Sequence, residues 1–294
     1  MKITVIGSLG NISKPLAQQL IKNGHEVTII SSDASKTAAI ESLGAKAAIG
    51  NITDVDFLTK AFTGADAVYT MVPPNFAVDN YRAFYNEVAN VYAAAIKNSG
   101  VKQVVNLSSI GAHLPEGTGP IKGLHDLENI LGKLDGVNIK HLRAAYFYTN
   151  YLANIGMIKH AGILGDNYGP DTPIILVHPK DIATAAVEEL ENSFTGKSVR
   201  YVVSDELTPK EAVAILGAAI GKPDLPWVEF SDADALAGML QAGLPEEIAK
   251  NYVEMGAAVR TEILKEDYDK HKPIALAKTK LKDFAVEFAA AYNA

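Results

Sequence analysis

The chain has 294 residues, of which 48% are hydrophobic and 21% are charged, a balance typical of a globular protein. Its formal net charge is −7 and no lysine or arginine cluster occurs, so we expect no nucleic-acid partner. The lack of cysteine excludes disulfides, thiolate metal sites and cysteine nucleophiles. No run of about 18 apolar residues occurs, and the first strand leaves no room for a signal peptide, so we expect a cytoplasmic protein without a membrane span.

The first half of the chain alternates predicted strands with predicted helices. Short apolar runs end at glycine or polar residues, and the segments between them have apolar residues at helical spacing. Strands are expected at 3–7, 26–30, 45–51, 65–72, 101–109 and 137–146, and helices at 13–24, 35–44, 55–64, 78–100 and 123–134. This alternation predicts an α/β fold of the Rossmann type with a doubly wound parallel sheet.

The pattern changes after about residue 150. Two single strands are predicted at 173–177 and 199–203, and the helices are predicted at 179–192, 209–221, 232–243, 245–259 and 275–293. We therefore predict a Rossmann domain over residues 1–150 and a smaller, mostly helical C-terminal lobe over residues 151–294. One strand of this lobe is expected to return to the sheet.

The turn after the first strand, "GSLGNIS", has glycine at positions 7 and 10 and serine at position 13. Glycine permits a backbone φ that other residues avoid and lets a phosphate approach the backbone, while the helix N-terminus supplies free N–H groups. The turn therefore predicts a dinucleotide-binding site with contacts at Gly7, Leu9, Gly10, Asn11 and Ile12. Ser13 takes the third small position and is expected to cap the helix. The alternative is a tight turn with no cofactor.

The second strand ends in "SSDASK". An acid about 20 residues past the glycines is typical of NAD sites, because it binds the ribose hydroxyls. Asp33 is one position late for this role, whereas the hydroxyls of Ser31 and Ser32 together with Lys36 suit a 2′-phosphate. We therefore favour NADP(H) over NAD(H), with Ser32 and Lys36 as contacts. The alternative is that the cluster only caps the following helix.

The glycine turn is the first of six segments in a characteristic order: "VIGSLGNIS", "ADAVYTMVPP", "VVNLSSIGAH", "GPIKGLHDLENIL", "LRAAYFYTNYL" and "VHPKDIATAAVEEL". Over nearly the whole chain, this series resembles the NmrA-like family of the atypical short-chain dehydrogenase/reductase superfamily. The resemblance implies a Rossmann fold that usually binds NADP(H). It also implies either a reductase of quinones and related compounds or a regulatory protein that binds the cofactor without turnover. The chain departs from the family at Ser13, where glycine is typical, and at Ser32, where arginine is frequent.

Further cofactor contacts are expected at the ends of later strands. The resemblance implies a polar contact from Asn51 to the adenine. Met71, Val72 and Pro73 close the fourth strand and are expected to line the ribose on the nicotinamide side; the alternative is that they only form a rigid loop. Ser108 ends the fifth strand, at the carboxyl edge where ligands of such sheets bind.

Aromatic residues form a dense group after the sixth strand. Tyr146, Phe147, Tyr148 and Tyr151 are expected to stack on the nicotinamide or on a flat substrate, or to pack between the lobes. We assign Tyr146 to the cofactor, and assign the substrate residues as Phe76, Tyr81, His113, Phe147 and Tyr148.

The helix after the fifth strand lacks the Tyr-x-x-x-Lys pair that most short-chain dehydrogenases use for proton transfer. The single match in the chain, Tyr268 with Lys272, lies far along the sequence, and we interpret it as coincidence. His125 and Lys122 are the candidate catalytic residues, with His125 donating a hydrogen bond to a substrate carbonyl or to the ribose. The alternative is that His125 only packs against or caps the helix.

An apolar aromatic pocket without a strong acid suits a quinone or an enone, because such acceptors need hydride and little help with protonation. The first hypothesis is therefore an NAD(P)H-dependent reductase of a small, flat, electron-poor substrate. The alternative is a non-catalytic NADP(H)-sensing regulator with a protein partner, and a sugar-nucleotide epimerase would need an acid/base tyrosine that is not found. No metal-ligand spacing occurs. The long helices after strands four and five suggest a homodimer by analogy with related folds.

Overall fold

The structure is a computed structural model that describes residues 1–294. The strands are β1 (Lys2–Ile6), β2 (Glu26–Ser31), β3 (Lys46–Ile49), β4 (Ala67–Thr70), β5 (Gln103–Ser109), β6 (Asn138–Ala144), β7 (Tyr146–Phe147), β8 (Leu164–Asp166), β9 (Ile174–Val177), β10 (Lys197–Val202), β11 (Asp205–Leu207) and β12 (Trp227–Glu229). The helices are α1 (Ser13–Lys22), α2 (Thr37–Ser42), α3 (Val55–Phe62), α4 (Tyr81–Ser99), α5 (Ile121–Gly132), α6 (Ile155–Ala161), α7 (Pro179–Glu191), α8 (Pro209–Ala219), α9 (Asp232–Gln241), α10 (Glu246–Arg260), α11 (Glu266–Lys270) and α12 (Leu281–Asn293).

Two compact units make up the chain. The first contains residues 1–109, 123–143 and 182–200, and the second contains residues 110–122, 144–181 and 201–294. The sequence predicts one boundary near residue 150, whereas the chain crosses between the units several times. The reason is that most of α7 and the returning strand β10 belong to the first unit although they lie in the second half of the sequence.

Seven strands form the main sheet in the order β10-β6-β5-β4-β1-β2-β3. Strand β1 pairs in parallel with both β2 and β4, and the pairs β2–β3 and β4–β5 are also parallel. The strand order therefore reverses at β1, and the crevice between the carboxyl ends of β1 and β4 is where ligands of doubly wound sheets bind. The predicted Rossmann-type α/β fold is confirmed, and β10 is the predicted returning strand.

Burial explains why these strands form. Ile3 and Val5 on β1, Ile29 on β2 and Val68 on β4 are each at most 1% exposed, as expected for strands covered on both faces. Helix α1 buries Leu16, Ala17 and Leu20 and exposes its other face, which is the usual pattern of an amphipathic helix on a sheet.

The second unit contains two small sheets. One has the order β11-β9-β7, and the other pairs β12 in parallel with β8. Its core combines residues from distant segments, with Tyr148, Leu176, Leu216, Phe284 and Phe288 all fully buried. No helix of the protein is both long enough and apolar enough to cross a lipid bilayer.

The predicted last helix began too early. Helix α12 starts at Leu281 rather than near residue 275, because the preceding segment makes other backbone hydrogen bonds. Thr279 N–H donates to Asp181 Oδ2 at 3.0 Å, and Leu281 N–H donates to Asp205 Oδ2 at 2.7 Å. Ala277 N–H donates to the carbonyl of Val203 at 2.7 Å. These partners are remote in sequence, so helical propensity alone did not reveal them.

Candidate functional site

The turn between β1 and α1 depends on a close contact between Gly7 and Ser13. Gly7 has a φ of +112°, a region that only glycine adopts readily. A Cβ on Gly7 would lie 2.2 Å from Ser13 Oγ. That hydroxyl is buried and donates a hydrogen bond to the carbonyl of Ile6 at 2.8 Å. The prediction that Ser13 caps the helix is wrong, because the N-cap position is Ile12 and its side chain makes no capping bond.

The same turn has donors that suit an anion. The backbone N–H groups of Leu9, Asn11 and Ile12 have no backbone acceptor in the protein. They precede α1, whose N-terminus carries a partial positive charge, so the turn fits a pyrophosphate. A Cβ on Gly7 would also lie 3.2 Å from Met71 Sδ, so the segment after β4 packs close to this turn. The first unit therefore contains the tight glycine turn that the sequence predicts, and the cofactor contacts of its residues stay a prediction.

The end of β2 carries hydroxyl groups, a lysine and one acid, Asp33, which caps the next turn. Asp33 caps the next turn, accepting bonds from Ser35 N–H at 2.9 Å and Ser35 Oγ at 2.6 Å. These two bonds lower the pKa of Asp33, which stays a carboxylate committed to the cap. Ser31 is buried and accepts a bond from Asp33 N–H, whereas Ser32 and Lys36 are exposed. The capping interpretation holds for Asp33, and Ser32 and Lys36 are the side chains left to meet a ribose phosphate.

Two predicted contacts after β3 and β4 have clear local roles. Asn51 is exposed, and its Oδ1 accepts a hydrogen bond from Thr53 N–H at 3.1 Å, which shapes the turn before α3. The carbonyl of Met71 accepts a bond from Tyr92 OH at 2.7 Å, which ties the segment after β4 to α4. Val72 is 6% exposed, so its side chain is buried in the core and anchors this segment.

Phe76 and Tyr81, the two aromatic residues after β4 that are predicted to contact a substrate, differ in exposure. Phe76 is 46% exposed in the loop before α4. Tyr81 is only 6% exposed, its OH lies 3.2 Å from Tyr85 OH, and the two ring centroids are 4.9 Å apart. Tyr81 therefore packs on its own helix, and the structure does not support its assignment to a substrate.

A buried ion pair lies behind the end of β5. Ser108 Oγ donates to Glu128 Oε1 at 2.5 Å, and Arg143 donates to both Glu128 oxygens at 3.0 and 2.7 Å. The side chains of Glu128 and Arg143 are each 10% exposed. The Ser108 hydroxyl proton is thus held by Glu128, which the sequence did not identify as its partner.

The two candidate catalytic residues each have a partner in their own unit. His125 is partly buried on α5, and its Nε2 lies 2.8 Å from Asn129 Nδ2. Lys122, in the second unit, is 18% exposed and donates to Glu254 Oε2 at 2.7 Å. An ion-paired lysine is a poor proton donor, so the structure argues against a catalytic Lys122. His113 is partly buried in the segment after β5.

The aromatic group after β6 is split by burial. Tyr146 and Phe147 are partly exposed, whereas Tyr148 is fully buried. Tyr148 OH donates to Asp205 Oδ2 at 2.6 Å, and its ring stacks on Phe284 with centroids 5.7 Å apart. Tyr148 is therefore a core residue of the second unit, and its side chain presents no exposed surface in this structure.

The Tyr268/Lys272 pair does not form a short-chain dehydrogenase site. Tyr268 OH donates to Glu206 Oε1 at 2.5 Å, and Lys272 Nζ donates to both Glu206 oxygens at 3.0 and 2.8 Å. Burial, followed by the bond to Glu206, raises the pKa of Tyr268, which is the opposite of what an acid/base tyrosine needs. The interpretation of this motif as coincidence agrees with these contacts.

One titratable residue of interest was missed. Asp166, at the end of β8, is partly exposed, and loss of solvation raises its pKa to about 6. The local sequence has no signal for this shift, because the loss of solvation comes from the packing of the folded chain.

Comparison with known proteins agrees with this arrangement. Residues 7–138 match the NAD(P)H-binding family model, in agreement with the dinucleotide-binding turn that the sequence predicts. No curated protein sequence is significantly similar to the chain.

Solved structures share the fold over almost the whole length. An NADPH-dependent quinone oxidoreductase from Escherichia coli, in complex with NADPH, is 21% identical with a TM-score of 0.82, and the match covers 97% of this chain and 99% of that one. The triphenylmethane reductase of a Citrobacter species, in complex with NADP(H), is 20% identical with a TM-score of 0.81, covering 98% and 99%. A nucleoside-diphosphate-sugar epimerase from Staphylococcus aureus is 17% identical with a TM-score of 0.78, covering 97% and 100%.

Proposed function

We propose that the protein is an NAD(P)H-dependent reductase of a small, flat, electron-poor substrate such as a quinone or an enone. The observation that carries the proposal is the turn between β1 and α1, where Gly7 has positive φ and three N–H groups lack backbone acceptors. The reduced nicotinamide, when bound, supplies a hydride. The chain binds the pyrophosphate with its turn, and the absence of a Tyr-x-x-x-Lys pair from α5 favours an acceptor that needs little proton transfer.

NADP(H) is the proposed form of the cofactor. Asp33, the acid at the end of β2, accepts both Ser35 bonds at Oδ1, which favours a capping role over binding of the ribose hydroxyls. Lys36 lies four residues after the exposed Ser32 and brings a positive charge that favours a 2′-phosphate. The two solved relatives in complex with NADPH or NADP(H) support this preference.

Calorimetric titration with NADPH and then NADH tests the cofactor proposal. We expect binding of NADPH that is at least about tenfold tighter, and we expect Lys36→Ala to remove most of this difference. Lys60, on the exposed last turn of α3, provides the matched control, because Lys60→Ala removes the same charge from the same unit. Equal affinities for NADPH and NADH would refute the NADP(H) preference, and no binding of either would refute the reductase.

A regulator that binds NADP(H) without turnover is the second candidate. One observation favours it: the candidate catalytic residue Lys122 is ion-paired with Glu254 at 2.7 Å. A turnover screen with menadione and with a simple enone separates the two functions. Oxidation of NADPH that depends on either acceptor supports the reductase, whereas tight NADPH binding without any turnover supports the regulator. A cytoplasmic location and a homodimer remain predictions.

A further inference from the structure

Ser8, the second residue of the glycine turn, has a strained backbone. Its φ is +54°, in the left-handed region that is uncommon for residues other than glycine. Glu262 is the one other residue of the chain, apart from glycines, with a positive φ. Strain of this kind persists where neighbouring contacts hold the backbone in place, and such positions cluster at ligand-binding sites.

Two hydrogen bonds attach Ser8 to the end of β2. Its backbone N–H donates to the carbonyl of Ile30 at 3.0 Å, and its Oγ donates to Ser31 Oγ at 2.9 Å. Ile30 and Ser31 are the last two residues of β2, and Ile30 is the register partner of Ile6, the last residue of β1. The two bonds therefore extend the connection between β1 and β2 into the glycine turn.

The Ser31 hydroxyl is fully used inside the protein. Besides the bond from Ser8, it accepts a bond from Asp33 N–H at 3.2 Å and donates to the Asp33 carbonyl at 3.3 Å. A hydroxyl has one donor and two acceptor positions, so these three bonds complete it. Ser31 is 3% exposed, and its carbonyl accepts a bond from Gly50 N–H at 3.0 Å. Ser31 is thus a fixed internal anchor for Ser8.

The direction of these bonds defines how Ser8 can act. Its only O–H proton is donated to Ser31, so the Ser8 hydroxyl can only accept further hydrogen bonds. Phosphate oxygens are acceptors as well, so this hydroxyl is not suited to contact a phosphate group. Any effect of Ser8 on a bound nucleotide must come from the position in which it holds the turn.

The two segments that Ser8 joins are the two phosphate-binding parts of the proposed cofactor site. The turn offers N–H groups for the pyrophosphate, while Ser32 and Lys36 follow Ser31 and are proposed to meet the 2′-phosphate. In NADPH both phosphates are attached to one ribose, so their separation is nearly fixed by covalent geometry. A protein that already holds its two binding segments at the matching separation loses less conformational freedom on binding.

We propose that Ser8 is a positioning residue that fixes the separation between the pyrophosphate-binding turn and the residues that meet the 2′-phosphate. This inference rests on the proposed function, because it concerns the same cofactor. The backbone bond to Ile30 survives any substitution that keeps an N–H group. The hydroxyl bond to Ser31 is therefore the part of the connection that the side chain of Ser8 controls.

Calorimetric titration of the full-length protein with adenosine 2′,5′-bisphosphate and with ADP tests this role. The bisphosphate has phosphates at both positions of one ribose, whereas ADP has them at the 5′ position alone. We expect Ser8→Ala to weaken binding of the bisphosphate about tenfold and binding of ADP at most about twofold. Ser42→Ala is the matched control and should change neither affinity, because the exposed Ser42 hydroxyl donates to the Ala39 carbonyl within α2 at 2.8 Å.

Ser8→Gly separates the hydroxyl bond from the backbone strain. Glycine adopts a positive φ readily, so this variant should unfold in urea at no lower concentration than Ser8→Ala. If Ser8 served the shape of the turn alone, Ser8→Gly would bind the bisphosphate as tightly as wild-type protein. We expect it to bind as weakly as Ser8→Ala. Combining Ser8→Ala with Ser31→Ala should weaken binding no more than the weaker single variant, because both substitutions break the same bond.

Unchanged bisphosphate affinity in Ser8→Ala and Ser8→Gly would overturn the positioning role and leave the proposed reductase intact. Additive losses in the double variant would also overturn it, since the two serines would then act independently. Failure of wild-type protein to bind both NADPH and the bisphosphate would refute the proposed cofactor site itself, and the role of Ser8 with it.

Discussion

Replacement of Gly7 by alanine tests the cofactor turn most directly. The new Cβ would lie 2.2 Å from Ser13 Oγ and would force a φ of +112° on a residue that disfavours it. The backbone strain costs about 1–3 kcal/mol. Displacement of the Ser13 hydroxyl from the Ile6 carbonyl, a bond of 2.8 Å, adds about 1 kcal/mol. We therefore expect Gly7→Ala to lower the free energy of unfolding by about 2–4 kcal/mol.

Urea unfolding measures the free energy of unfolding of Gly7→Ala, and NADPH titration measures its affinity for the cofactor. Gly10→Ala is the matched control, because its φ lies outside the left-handed region and its Cβ would meet only the Gly7 carbonyl, at 3.0 Å. Gly10→Ala should lower the free energy of unfolding clearly less than Gly7→Ala does. Combining Gly7→Ala with Ser13→Gly removes the clash but keeps the strained φ, so the two effects should be less than additive. An unchanged free energy of unfolding together with unchanged NADPH affinity for Gly7→Ala would show that this turn is not built as described.

Three further predictions concern the polar groups of the first unit. Glu128→Gln leaves Arg143 buried with a weakened partner, and should lower the free energy of unfolding by about 3 kcal/mol in urea; an effect below about 0.5 kcal/mol would mean that the pair is solvated. Burial lowers the pKa of His141, whose Nδ1 lies 3.1 Å from Asn106 Nδ2. The unfolded chain therefore binds the proton more readily, and stability should fall as pH drops through about 6.5. His141→Gln should reduce the difference in unfolding free energy between pH 7.5 and pH 5.5, and an unaltered difference would exclude His141 as its source. His125→Ala should lower turnover with menadione more than NADPH affinity, and unchanged turnover would remove His125 from the reaction.

Predictions from the local sequence pattern were correct for strands and turns whose residues share one environment, such as a buried sheet. The seven strands of the main sheet all coincide with predicted strands, and the clearest of them, β1, β2, β4, β5 and β6, are apolar runs buried in the sheet. The glycine turn was recognised because its φ and its close packing require small residues. Strands of two or three residues, such as β7, β11 and β12, have no periodicity to detect and were missed.

The sequence by itself thus determined the Rossmann-type sheet and the position of the cofactor turn, since both follow from residues adjacent along the chain. Tertiary structure alone decided what the polar side chains do. It joined Ser108 to Glu128, buried Tyr148 against Phe284, and removed much of the solvation of Asp166. The charge state and the exposure of a side chain depend on neighbours brought together by folding, and no local pattern encodes them.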